Sequence, residues 1–222
     1  MNQELYDLLK RNVDHTGLPV MHKELFLDTT EKYGKEEFRK TLAEFITKEK
    51  PPYPLKEFNM EKVVDNFRKL QKADFTNYLS QPNNVMEKYD DYKYSYKEYG
   101  LGLIDCPSTF NYCADSFMND LRMECGSYGF KSPVQRWNDG DNIWGAFGPI
   151  WRGVNDSKNL TPKTYTMAFR LGTYIATQFK PIVAKTIYEM SDAKTVLDTS
   201  MGWGDRLTAF YASNATHYIG CD

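Results

Sequence analysis

The chain has 222 residues, of which 41% are hydrophobic and 15% aromatic, so it can bury a substantial core and is not disordered throughout. Its formal net charge of −2 excludes the strong overall positive field that drives nonspecific nucleic-acid binding, although a local basic face stays open. No apolar run approaches the ~18 residues of a membrane span, and the first residues do not resemble a signal peptide. We therefore expect no membrane association and a cytoplasmic location.

Amphipathic helices dominate the first part of the chain. Apolar residues recur at spacings of three and four along residues 5–13, 23–33, 35–48 and 60–78. The proline-rich stretch 51–54 predicts that the third of these helices ends near Lys50. Ser108 can cap a further helix that continues through Met123 and ends at Gly126.

The cysteines and histidines point away from a metal site. The four cysteines are Cys106, Cys113, Cys125 and Cys221. Their spacings match no zinc pattern, and the three histidines do not complete one. We expect reduced thiols and no bound metal. Cys113 shares a helical face with Phe110 and Phe117, which predicts a buried, inert thiol.

Tyrosines and lysines are interleaved over residues 88–99. The tyrosines are Tyr89, Tyr92, Tyr94, Tyr96 and Tyr99. This mixture is the chemistry of a surface that stacks on bases and contacts phosphates. The alternation of Tyr92, Tyr94 and Tyr96 equally describes one face of a β-strand, and neighbouring acids dilute any positive potential. Both interpretations stay open.

Residues 135–153 form a second unusual stretch. Three tryptophans, Trp137, Trp144 and Trp151, stand among turn-forming residues together with two arginines. Ordering such a loop costs entropy that packing or a ligand must offset. We interpret the stretch either as a wall that faces a substrate or covers a cofactor, or as a loop pinned by tryptophan between two parts of the protein.

Helices are predicted again before the last quarter of the chain. Thr161 is placed as an N-cap with Pro162 as the first helical residue, and the apolar positions that follow predict a helix of about four turns. Pro181 is expected to break or kink it. A further apolar face then runs through Tyr188 and ends at Ser191.

The last quarter carries the strongest signal. An apolar strand at Val196 and Leu197 ends in Asp198, a turn containing Gly202 and Gly204 opens a helix to about residue 213, and a strand over 217–221 precedes a second acid. This is a βαβ order suited to a nucleoside cofactor, because an acid at the second strand end can accept hydrogen bonds from both ribose hydroxyls. That acid is Asp222.

A dinucleotide site would place a third glycine where this chain has Leu207, which weakens the NAD interpretation. The run LDTSMGWGDRL over 197–207 instead resembles motif I of the S-adenosylmethionine (SAM) dependent methyltransferases, in the GWGxRL form of phage and large-virus methyltransferase-like proteins. YIGCD over 218–222 resembles their motif II. A viral protein of this kind would act in the host cytoplasm.

The resemblance implies a set of SAM-binding residues. Asp198, Gly202 and Gly204 would surround the methionine part of SAM, and Asp222 would hold its ribose. Ser200 and Trp203 belong to the same turn and are included in the implied site. Upstream, Phe179-Lys180-Pro181 is similar to the segment that packs beside the SAM methionine in exocyclic-amine DNA methyltransferases, which adds Phe179 and Pro181.

The same family carries an Asp or Asn before Pro-Pro and an aromatic residue after motif II, and its oxygen accepts hydrogen bonds from the target amine. Here the sequence given stops at Asp222, and the nearest imitation begins with Lys50, which offers only donors. The catalytic residues are therefore unknown. We expect a chain that is inactive alone and that a protein partner or a further C-terminal segment would complete.

The sequence thus predicts a mainly α-helical N-terminal region over 1–160, followed over 161–222 by the opening βαβ of an α/β Rossmann-like methyltransferase domain. The expected cofactor is SAM and the expected substrate is a base amine in DNA. One alternative is a noncatalytic binding module or truncated fragment. Another is a methyltransferase that acts on RNA or a small molecule.

Overall fold

A computed structural model describes residues 2–80, 103–140, 142–153 and 155–222, and in these ranges the protein is mainly helical with a two-stranded parallel sheet near its end. The chain forms two compact units. The first comprises Met1–Glu57 and Asp120–Ala176, and the second comprises Phe58–Asn119 and Thr177–Asp222. The domain boundary expected after residue 160 stays a prediction. The tyrosine- and lysine-rich stretch 88–99 lies outside the described residues.

In chain order the elements are α1 (Gln3–Arg11), α2 (Lys23–Tyr33), α3 (Lys35–Glu49), α4 (Met60–Lys72), β1 (Leu79–Ser80), β2 (Leu103–Ile104), α5 (Tyr112–Glu124), α6 (Pro133–Asp139), α7 (Ile143–Phe147), α8 (Pro162–Arg170), α9 (Pro181–Met190), β3 (Thr195–Asp198), α10 (Asp205–Tyr211) and β4 (His217–Gly220). Short 3-10 helices span Phe75–Tyr78, Ser108–Phe110 and Gly148–Trp151. The strands β1 and β2 pair antiparallel, whereas β3 and β4 pair parallel.

Several helix ends lie where the sequence signals predict them. α2 has the predicted bounds, and α3 ends at Glu49, one residue beyond the prediction, with Lys50 in the left-handed conformation at φ 51° before the prolines. Thr161 caps α8 through a capping box with Thr164, and Pro162 is its first residue. These signals act through neighbouring backbone groups, so they do not depend on distant packing.

The helices predicted over 60–78 and from Ser108 are shorter than expected. α4 ends at Lys72, because the Asp74 carboxylate accepts hydrogen bonds from the backbone and hydroxyl of Thr76 and starts a separate 3-10 turn. The helix predicted from Ser108 begins at Tyr112 instead, and Ser108 opens a 3-10 turn before it. Both differences arise where local side-chain bonds or turns compete with the α-helical ladder.

The predicted four-turn helix after Pro162 was also too long, because α8 stops at Arg170. The Thr173 hydroxyl donates to the carbonyl of Phe169 at 2.7 Å and so occupies an acceptor of the last turn. Pro181 does not kink this helix but is the first residue of α9, where a missing N–H costs nothing.

Aromatic side chains form the core of the first unit. Trp137 is only 3% exposed and makes edge-on contacts with Tyr53, Tyr165 and Phe147. Its indole N–H donates to the carbonyl of Pro51 at 2.7 Å. Because this hydrogen bond satisfies the one polar atom of the indole, the ring can be buried without an unpaired donor.

The tryptophan-rich stretch 135–153 is therefore not the irregular loop that we predicted. It is largely helical, since α6, α7 and a 3-10 helix occupy most of it. Trp151 stacks on Phe26 in the core, and only Trp144, at 44% exposure, presents a substantial surface. The burial favours the structural interpretation of this stretch over a substrate-facing wall.

In the second unit, α9 and α10 cover one face of the parallel sheet. Ala184 and Tyr188 of α9 and Ala209 of α10 pack with Val196 of β3 in a small core. Side chains alternate along a strand, so the neighbouring residue Leu197 points to the opposite face, where it is 66% exposed. The helix-covered face is the one on which the Asp198 side chain lies, two residues after Val196.

Cys113 is buried, as predicted, and burial raises the pKa of its thiol. Phe117, which was expected on the same buried face, is instead 68% exposed. Over the ranges that the structure describes, no helix combines the length and the apolar character needed to cross a bilayer.

Candidate functional site

The turn between β3 and α10 spans residues 199–204 and contains two glycines in the left-handed region. Gly202 has φ 58° and Gly204 has φ 77°, conformations that cost most other residues about 1–2 kcal/mol. The parallel register pairs Asp198 with Gly220, so the carboxyl ends of both strands meet at one edge of the sheet. The glycine turn and the segment after β4 lie together at this edge.

Backbone and side-chain hydrogen bonds tie that segment to the turn. The Met201 N–H donates to the carbonyl of Cys221, and the Cys221 N–H donates to the carbonyl of Asp198, both at 2.8 Å. The Gly202 N–H donates to Oδ1 of Asp222 at 3.1 Å. Gly202 and Asp222, predicted to belong to one site, are therefore in direct contact.

Asp198 is the centre of a buried polar network. Its side chain is 8% exposed, and its Oδ2 accepts hydrogen bonds from Nε of Arg206 at 2.7 Å and from the hydroxyl of Tyr218 at 2.6 Å. The Ser200 N–H donates to the other oxygen, Oδ1, at 3.3 Å. Three donors from the turn, α10 and β4 thus converge on one carboxylate, which fixes these elements relative to one another.

The pKa shifts of this network follow from burial and hydrogen bonding. Burial by itself would raise the pKa of Asp198, but the hydrogen bonds from Tyr218 and Arg206 outweigh it and hold the pKa below its usual value. Burial and the hydrogen bond to Asp198 raise the pKa of Tyr218, and burial and the Asp198 charge raise the pKa of Tyr188 to about 12. At neutral pH the carboxylate is ionised and both tyrosines keep their protons.

This network gives Asp198 an internal role that the sequence did not indicate. Its oxygens hold the turn, α10 and β4 in place, whereas the resemblance implied contact with the methionine part of a cofactor. That contact stays a prediction. Ser200 is exposed and Trp203 is half-buried within the same turn, so both remain candidates for ligand contact.

Phe179 also reaches the site. The residue is 39% exposed, and its ring lies under the Arg206 guanidinium, with 5.3 Å between the guanidinium carbon and the ring centroid. Beside it, the Gln178 amide donates to Asp205 at 2.8 Å. Pro181 is buried and is the first residue of α9, a position that suits proline because the N–H it lacks has no partner within the helix there. Phe179 is therefore linked to the turn through Arg206, to which the sequence analysis assigned no role.

Sequence reasoning missed Arg206, Tyr218 and Gln178 as parts of this arrangement. Tyr218 could have been found, because a parallel register of β3 with β4 puts it on the same sheet face as Asp198. Arg206 stands within the recognised motif, but its two partners are eight and 27 positions away in sequence. Only the fold shows that the Arg206 guanidinium contacts both Asp198 and Phe179.

Within residues 2–80, 103–140, 142–153 and 155–222, no group of three or more His, Cys, Asp and Glu side chains is arranged to hold a metal ion. Comparisons of the chain with protein-family models, with curated proteins and with solved structures found no match. Function is therefore inferred from the chemistry of the glycine turn and the two strand ends.

Proposed function

We propose that the protein binds SAM at the carboxyl edge of β3 and β4 and is a methyltransferase that acts on base amines in DNA. The observation that carries the proposal is the contact between the Gly202 N–H and Asp222, 3.1 Å apart at the ends of adjacent parallel strands. Ligands of parallel α/β sheets bind outside the carboxyl ends of the strands, where a glycine turn and an acid can face a nucleoside.

The residues at this edge suit a nucleoside. Asp222 is exposed, and a carboxylate has about four lone-pair sites, so acceptor capacity remains for ribose hydroxyls beside the bond from Gly202. The space beside Gly202 is open, because a Cβ there would have no neighbour closer than 3.9 Å apart from the two adjoining residues. A ligand can therefore approach the backbone of the turn closely.

We assign Asp222 to the ribose and the turn 199–204 to the methionine part, with Phe179 as an apolar neighbour. When bound, SAM would supply a methyl group on a sulfonium sulfur: the N–C bond to a base amine would form in line as the C–S bond breaks, the thioether S-adenosylhomocysteine would leave, and the methylated amine would lose a proton to solvent. The protein's contribution is to orient the cofactor and to exclude water from the reacting atoms. The catalytic residues are unassigned.

Calorimetric titration with SAM tests the cofactor assignment. Asp222→Ala removes the ribose acceptor, and we expect SAM affinity to fall about tenfold or more, because a hydrogen bond to a charged group contributes about 1.5–3 kcal/mol. Asp65→Ala is the matched control, since Asp65 is an exposed acid on α4 that pairs only with its neighbour Lys69 among the ion pairs described. Absence of heat with the parent protein, or equal affinity in all three proteins, would contradict the assignment.

Transfer of a labelled methyl group from SAM tests the substrate. We expect the label in DNA, on an exocyclic base amine. Label found in RNA or in a small molecule, and not in DNA, would change the substrate class while keeping the reaction. SAM binding without transfer to any of these would make the protein a noncatalytic SAM-binding module.

A further inference from the structure

Arg206 is held in one orientation from two sides. Its Nε donates to Asp198 at 2.7 Å, and its guanidinium carbon lies 5.3 Å from the centroid of the Phe179 ring. The Arg206 side chain nevertheless keeps 25% of its surface exposed. A guanidinium fixed in this way is pre-organised, because little side-chain entropy remains to be lost when it binds a further group.

The outer part of this guanidinium is directed at the glycine turn. Its Nη2 lies 3.9 Å from the position that a Cβ on Gly202 would take. Nε supplies only one of the five N–H donors of the planar fork, and the others are carried by the two Nη atoms. Donors that match the geometry of a carboxylate are thus present beside the turn that is assigned to the cofactor.

Asp198 contacts the Arg206 guanidinium through Nε. The carboxylate also accepts hydrogen bonds from Tyr218 at 2.6 Å and from the Ser200 N–H at 3.3 Å. Because the described bond to Asp198 engages Nε, the N–H groups on the two Nη atoms can donate to a second anion.

We propose that Arg206 recognises the α-carboxylate of the methionine part of SAM, an inference that rests on the proposed function. Asp222 then accepts hydrogen bonds from the ribose of SAM, and Arg206 binds the carboxylate of its amino-acid part. Asp198 and Phe179 act as positioning residues, because they hold the guanidinium in place. The site consequently distinguishes nucleosides that carry an amino-acid carboxylate from those that lack it.

The unaltered protein provides the first test. Calorimetric titrations compare SAM with decarboxylated SAM, which keeps the sulfonium and the nucleoside but lacks the carboxylate. We expect decarboxylated SAM to bind about 10- to 100-fold more weakly, as loss of a charge-assisted hydrogen-bonded contact predicts. Equal affinities would overturn the proposal. Since no substitution is involved, this result does not depend on whether a variant folds.

Substitution then assigns the preference to one residue. In Arg206→Met the ratio of the two affinities should fall to about one, whereas Arg206→Lys should retain part of it because it keeps the charge but not the fork. Arg68→Met, at an exposed arginine on α4, is the control and should leave the ratio unchanged. An undiminished ratio in Arg206→Met would overturn the proposal.

Two further outcomes separate this inference from the proposed function. If the parent binds neither form of SAM, the proposed function fails and this inference fails with it. If both forms bind equally well, only the inference fails. Adenosine 5′-monophosphate is titrated in parallel as a nucleoside that carries a phosphate. If it binds tightly through Arg206 while SAM and decarboxylated SAM bind equally, the anion that Arg206 recognises is a phosphate. That result would also overturn the inference.

Discussion

The aromatic core of the first unit and the strand ends of the second are stabilised in different ways. Around Trp137, rings pack edge to face, and a single indole hydrogen bond satisfies the buried polar atom. Around Asp198, the buried groups are charged or hydroxylated, and each contact has a required direction. Aromatic packing is set by the shapes of the rings, whereas a carboxylate with three donors fixes the directions of the groups around it, as a binding site requires.

The largest effect should come from the aromatic core. Trp137→Ala removes a large buried ring and its bond to Pro51, and we expect the free energy of unfolding to fall by about 5 kcal/mol. Trp144→Ala is the control, because Trp144 is 44% exposed and its main described contact is the Arg39 guanidinium stacked 3.7 Å above the ring. Trp144→Ala should lower the free energy of unfolding by about 1 kcal/mol. Denaturant unfolding measures both, and comparable losses would contradict the contrast between core and surface tryptophans.

A smaller effect is expected at a buried ion pair of the second unit. Lys185 donates to both oxygens of Glu189 at 2.8 and 2.9 Å and to the carbonyl of Ala73 at 2.7 Å. Lys185→Met leaves the carboxylate without this cation, and we expect a loss of about 3 kcal/mol in unfolding free energy. The double variant Lys185→Met with Glu189→Gln removes both charges and should recover part of the loss. A double variant less stable than Lys185→Met would show that the pairing is not the cause.

The contribution of the Asp198 network to the free energy of unfolding should depend on pH. Asp198→Asn weakens the bonds to Arg206 and Tyr218, and we expect a loss of about 2 kcal/mol at pH 7. Because folding lowers the pKa of Asp198, its contribution is fully present above the unfolded carboxyl value of about 3.9 and is lost as the pH falls through the lower folded-state value.

The measurement is the difference in unfolding free energy between the parent and Asp198→Asn from pH 7 down to pH 3. The difference should shrink below about pH 4. Asp65→Asn, at an exposed ion pair, should change stability by less than about 0.5 kcal/mol over the same range. A parent-minus-Asp198→Asn difference that stays constant with pH would exclude the ionised carboxylate as its source.

Local signals in the sequence were sufficient for part of this architecture. The capping box at Thr161 and the left-handed Lys50 lie where the sequence places helix ends. The apolar pair Val196 and Leu197 and the glycines at 202 and 204 predict the strand and turn that are observed, although Leu197 is 66% exposed. These features depend on a few adjacent residues, so a single sequence reveals them.

Features that depend on packing could not be predicted in this way. The turn-forming residues of the tryptophan-rich stretch include Gly140, which is the left-handed cap at the end of α6, and Pro149, which lies at the start of a 3-10 helix. The same residues serve loops and helix ends, and only the surrounding core distinguishes the two. In the candidate site, the link from Arg206 to Phe179 joins α10 to the segment before α9, a contact that no local pattern encodes.

The central claim is that the strand ends of the second unit, and not the aromatic segment of the first, bind the cofactor. Hydrogen exchange measured by mass spectrometry with and without saturating SAM tests it most directly. We expect slower exchange in peptides covering 198–206 and 217–222, and unchanged exchange in peptides covering 133–140 and 143–151. Protection confined to 133–140 or 143–151, or bound SAM without protection at either strand end, would contradict the claim.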